Sequence, residues 1–83
     1  MDILGKRFEI ITASTGTLNT AGRVYYAFMP IGGSATITAV PNAGHSATLT
    51  DWELADGCPI SSIEGFSSVA KTAGTGKVIA YYN

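Results

Sequence analysis

Few side chains in this chain have the type and spacing that chemistry requires. His45 is the single histidine and Cys58 the single cysteine. A thiol nucleophile needs a base beside it, and His45 alone is available to serve. Cys58 precedes Pro59, so it reads as a small apolar group in a turn. One imidazole cannot make a paired metal site, and Asn42, Gly44 and Ser46 place His45 in a solvated loop. Asp51, Glu53, Asp56 and Glu64 are the densest acidic group. They lack the alternating oxygen ligands and central glycine of a calcium loop, and a chain this short has little room for a two-carboxylate glycosidase cleft. Gly74-Thr75-Gly76-Lys77 resembles part of a phosphate loop, but Val78 stands where the serine or threonine belongs. The chain therefore reads as a non-enzyme, with no catalytic residue, metal ligand set or cofactor.

What remains is aromatic. Trp52 with Tyr25, Tyr26, Tyr81 and Tyr82 has the makings of a flat platform for sugars or bases, and the same residue types dominate protein interfaces. Low charge around them favours core and subunit contacts. Size and strand position select Tyr26, Phe28, Trp52, Phe66 and Tyr81 as the expected oligomer interface.

The elements that must position these residues are strands. Lys6 to Ala13 alternates with period two, Phe8 and Ile10 on one face against Arg7, Glu9 and Ile11 on the other. Leu18, between two turn-forming clusters, marks a short connection or a very short strand. Arg23 to Met29 is the strongest strand, with Val24, Tyr26 and Phe28 on one face, Tyr25, Ala27 and Met29 on the other, and a composition suited to burial on both sides. Pro30 is expected to end it. Gly32-Gly33 then predicts a hairpin to a half-exposed strand over Ser34 to Val40. After the turn at Pro41 to Gly44 comes a weaker strand from Ser46 to Thr50. Two readings are open for the segment from Thr50 to Leu54: Thr50 with Glu53 has the spacing of a helical capping box, and a strand through Trp52 and Leu54 fits as well. Gly65 to Ala70 and Lys77 to Tyr82 flank Thr72 to Gly76, which predicts a second hairpin.

Composition sets the frame. At 83 residues the chain is one domain, 1–83, and a domain of that size buries only about 60% of the surface its unfolded chain exposes. Nothing in the sequence staples it, so open strand edges must be covered by something else, most simply other copies. Five scattered basic residues and a net charge of -1 argue against nucleic acid as a partner. Neither a signal peptide nor a membrane span is expected, and the lone cysteine points to synthesis in a reducing cytosol.

Several short runs carry a resemblance. Gly16-Thr17-Leu18, Gly22-Arg23-Val24-Tyr25-Tyr26-Ala27, Ala35-Thr36-Ile37-Thr38, Leu54-Ala55-Asp56-Gly57, Gly65-Phe66-Ser67-Ser68-Val69 and Gly76-Lys77-Val78-Ile79-Ala80-Tyr81 together cover most of the chain. They are similar to those of small virion proteins of tailed bacteriophages, while segment 58–64 with its Cys-Pro departs from that pattern. The resemblance implies an all-β protein, a small antiparallel β-sandwich or barrel assembling as a homotrimer. It also implies a place on the capsid surface of a virion, made in the host cytoplasm, with the major capsid protein as partner and a decoration or cement role. The alternative is a carbohydrate-binding or adhesive β-module, a head or tail fibre part, that uses Trp52 and the tyrosines.

Overall fold

The computed structural model describes residues 7–42 and 47–83, so His45, the turn at 43–44, Lys6 and the expected strand start at Ser46 lie outside the described residues. The described chain is all-β. Seven strands follow one another: β1 (Arg7–Ile11), β2 (Gly16–Leu18), β3 (Tyr25–Ile31), β4 (Ala35–Pro41), β5 (Leu49–Leu54), β6 (Ile60–Ala73) and β7 (Lys77–Tyr82). All pairings are antiparallel, in the order β1-β7-β3-β6-β4-β5, with β2 also on β6. The open alternative at Thr50 to Glu53 resolves as strand β5.

Two layers arise because β6 belongs to both. Its first residues pair with β3 (Phe28 opposite Ile60, Ala27 opposite Ser61), and its later ones pair with β4 on one side and β2 on the other. Between them, residues 62–65 lie opposite Tyr26 alone. Gly65 makes this corner at φ 77°, where a Cβ would strike Val24 and stand 3.3 Å from the Tyr25 carbonyl oxygen. Strands that switch layers do so through such bulges. Tyr25, Phe28, Ile37, Leu54, Phe66, Val69 and Val78 fill the space between the layers.

Neither expected hairpin forms. β3 pairs with β6 and β7, and β4 with β5 and β6, so the Gly32-Gly33 loop crosses from one layer to the other instead of reversing within one. The Thr72 to Gly76 loop crosses back, because β3 occupies the place beside β7 that a hairpin would give to β6. The two crossings pack backbone on backbone. The Gly76 amide donates to the Ser34 carbonyl at 2.8 Å, and a Cβ on Gly74 would fall 2.6 Å from the Ala35 Cα. Glycine is required there by close approach, which a sequence reads easily as a turn signal.

Pro30 does not end its strand either. The ladder from β3 to β6 stops at Phe28, so Pro30 owes no donor beyond it, and its carbonyl accepts the Gly57 amide at 2.8 Å. The alternation within β3 also shifts. Tyr25 faces Tyr82 and Ala27 faces Tyr81, which makes Tyr26 the bulged residue and sends both Tyr25 and Phe28 into the core.

Candidate interaction face

In a two-layer β fold the inward residues of each strand make the core and the outward ones meet water. The layer of β2, β4, β5 and the later half of β6 follows this except at Val40, which is exposed opposite Ser68. Its outward positions include Thr17, Thr36, Thr38, Glu53, Ser68, Ala70 and Thr72, while Ile37, Ala39, Leu54 and Val69 point in.

The layer of β1, β7 and β3 does not. Register places Phe8, Tyr81 and Ala27 in one outward row and Ile10, Ile79 and Met29 in the next, with Ile31 opposite Lys77 at the end. Phe8, Ile10 and Ile31 are 57%, 43% and 40% exposed. Phe8 and Tyr81 stack at a tilt, ring centroids 6.2 Å apart. Beneath them Ala27 and Ile79 are buried, yet neither belongs to the core cluster. They are covered from outside, by their own neighbours on the face. With strands spaced about 4.8 Å and residues about 3.3 Å, the face spans roughly 300 Å².

At the inner rim of this layer, on the side that Glu9 shares with the core residue Ile11, a polar cluster ties three strands together. Glu9 of β1 receives Arg23 and the Tyr25 hydroxyl on the same oxygen, Oε1, the latter at 2.8 Å. The Arg23 guanidinium also lies over the Tyr82 ring at 4.2 Å, and Tyr82 meets Tyr25 edge to face at 6.0 Å. Burial pushes the Tyr25 phenol above its ordinary value of 10.0, and the adjoining Glu9 carboxylate pushes it further. The hydrogen bond that Arg23 donates to Glu9 raises Arg23 as well. A second cation is held internally: Lys71 is 3% exposed and donates to the Ala13 carbonyl at 3.2 Å.

Of the expected interface residues the structure brings few together. Phe28 and Phe66 are buried in the protomer's own core, 1% and 5% exposed and edge to face at 5.3 Å. Buried so, they cannot reach a partner: size and strand position do not distinguish a core residue from an interface one. Tyr81 lies on the apolar face. Tyr26 is half-buried at the β3 bulge, and Trp52 is 52% exposed on edge strand β5, where it shares a side with Ile37 at the rim of the core. The acidic residues are dispersed: Asp51 accepts from Thr72 at 3.0 Å, Asp56 accepts the Gly32 amide at 3.0 Å, and Glu64 keeps one oxygen buried. Among the described residues no three histidine, cysteine, aspartate or glutamate side chains gather as a metal site. Sequence reasoning missed Phe8, Ile10, Met29 and Ile31 as residues of an outer face, although the alternation of Phe8 and Ile10 with Arg7 and Glu9 and the two-sided apolar composition of β3 were the signals for them.

Protein-family models, curated proteins and solved structures were all compared with the chain, and none matches.

Proposed function

We propose that the chain is a structural assembly module, docking through the outer β1-β7-β3 face onto copies of itself and onto a larger protein shell, without catalysing a reaction. The observation that supports it is the difference between the two layers: one chain lays threonine, serine and glutamate on one outer surface and Phe8, Ile10, Tyr81 and Met29 on the other.

Magnitude decides what kind of docking this is. A contact of roughly 300 Å² a side falls well below the ~800 Å² per partner of a stable two-body complex. Such a face holds when many copies engage at once, as on a shell with repeated sites. That requirement agrees with the resemblance to bacteriophage virion proteins, and we take a homotrimeric capsid decoration or cement protein as the specific form of the proposal. A second reading, a glycan-binding β-module, rests on the half-exposed Trp52.

Light scattering across micromolar concentrations tests the assembly, with Ile10→Asp as the disrupting variant and circular dichroism to verify its fold. Self-association that Ile10→Asp abolishes supports the proposal, and a wild-type protein that stays monomeric and does not bind a capsid overturns it. Co-sedimentation with assembled tailed-bacteriophage capsids tests the shell. A glycan-array signal removed by Trp52→Ala would transfer the assignment to the second reading.

A further inference from the structure

Leu49, Trp52 and Leu54 set a problem for β5. In a regular strand alternate residues face one way, and positions 49, 52 and 54 do not share that period. One extra residue solves it. Ile37 stands opposite Trp52 and Ala39 opposite Leu49, so Thr38 alone faces both Thr50 and Asp51. Asp51 turns the bulge at φ 47°, the one residue other than glycine with a positive φ among the described residues. Its amide donates to the Thr38 hydroxyl oxygen at 3.0 Å. A second bulge lies on the other side of β4: Thr36 pairs with Ala73 and Ile37 with Lys71, which leaves Thr72 as the extra residue of β6. The two bulged residues meet over β4. The Thr72 hydroxyl donates to Asp51 Oδ1 at 3.0 Å, nearer than its other acceptor, the Thr36 carbonyl at 3.3 Å.

We propose that Asp51 and Thr72 form a clasp across β4 that fixes the register of β5 and keeps its free edge from pairing with a second copy. β5 ends the strand order and has no partner among the described residues on its outer side. Without the bulge, a strand anchored at Trp52 would set Asp51 against Thr38, Thr50 against Ala39 and Leu49 against Val40. Thr50 would then turn inward in place of Leu49, which packs against the core. What that register gains is a regular edge of six residues, able to template another strand. Residue choice at position 51 decides between the two. Aspartate tolerates left-handed backbone, and its short carboxylate accepts a charge-assisted bond from Thr72. Valine, a strong strand former, does neither. Glu53, opposite Thr36, adds a second negative charge to the same edge strand. The clasp depends on these bonds and registers alone, whether or not copies meet through the outer β1-β7-β3 face.

Cross-strand NMR contacts read the register and light scattering reads the edge, both in an Ile10→Asp parent whose apolar face is interrupted. The parent and Asp51→Asn, which keeps left-handed tolerance and an acceptor for Thr72, are expected to show Ala39 opposite Leu49. Asp51→Val is expected to show Ala39 opposite Thr50 and to self-associate roughly tenfold more strongly than the parent. Thr72→Val removes only the hydroxyl. It is expected to speed exchange of the Asp51 amide about fivefold, the factor that one ordinary net hydrogen bond carries, and to raise self-association in the same direction. Ala39 still opposite Leu49 in Asp51→Val overturns the clasp, and a straightened β5 that associates no more than the parent overturns the guarding of the edge. If Asp51→Val does not fold by circular dichroism, Thr72→Val decides: unchanged amide exchange and unchanged association overturn the proposal.

Discussion

Glu9→Ala is the substitution that separates the structural roles of the rim cluster. The Tyr25 ring is fully buried, and its hydroxyl donates to Glu9 Oε1 at 2.8 Å. Removing the acceptor leaves a buried hydroxyl unpaired, at a penalty of about 1–3 kcal/mol. The Arg23 pair adds little, because it lies at the surface where solvent and salt screen it. For a domain of this length each kcal/mol shifts Tm by roughly 4–8 °C, so Glu9→Ala is expected to lower Tm by roughly 4–24 °C. Glu9→Gln keeps an oxygen for the hydroxyl and gives up only the charge, and its Tm is expected to fall by less than half as much. Thermal unfolding followed by circular dichroism reads both, and a double-mutant cycle with Tyr25→Phe isolates the bond. Equal losses for Glu9→Ala and Glu9→Gln would refute the reasoning, since the charge and not the buried acceptor would then be what matters. Additive behaviour of Glu9→Ala and Tyr25→Phe would refute it independently.

Alkaline titration gives a related test: a folded pKa raised above the unfolded value favours the neutral phenol, so Tyr25 contributes stability that is complete below pH 10.0 and lost as pH climbs through the folded value. Absorbance at the tyrosinate band should show Tyr25, identified by its loss in Tyr25→Phe, ionising above pH 10.0, together with a falling urea midpoint. Gly65→Ala forces a side chain into left-handed backbone against Val24 and is expected to destabilise by about 2–4 kcal/mol in urea unfolding; a loss under ~1 kcal/mol would mean the corner is not held as described. Phe28→Ala empties a core position and should lose about 3–5 kcal/mol, whereas Phe8→Ala should leave the unfolding midpoint of dilute protomer nearly unchanged and reduce self-association.

Strand positions were legible in the sequence and strand neighbours were not. Period two located β1, β4 and β7 to within a few residues, because alternation is a local property of the chain. Pairing is not local. Gly32-Gly33 and Gly74 to Gly76 carry the residues of tight reversals, yet here glycine serves the crossing of two loops that sequence separates widely. The bulge at Tyr26 shows the same limit on a finer scale. Simple alternation puts Tyr26 with Phe28, and one extra residue exchanges it for Tyr25. The rim cluster draws on Glu9, Arg23, Tyr25 and Tyr82, residues that only the β1-β7-β3 ladder brings together. Choosing interface residues by size took Phe28 and Phe66 from the core and passed over Phe8 and Ile10, whose alternation with Arg7 and Glu9 was already visible.

The asymmetry of the two layers bears on how so small a domain is balanced. With 83 residues, the interior is one thin layer of side chains, and every large apolar residue placed outside it is withheld from that core. Trading Phe8, Ile10 and Ile31 for threonines would match the opposite layer and make the protomer more soluble at no evident loss to the cluster around Phe28 and Ile37. β-Propensity alone does not explain the choice, since threonine is as good a strand former as these residues and already serves the other layer. An outward face built of Phe8, Ile10 and Tyr81 is what the proposed docking requires, since a partner that covers it removes apolar surface from water that the single protomer leaves exposed.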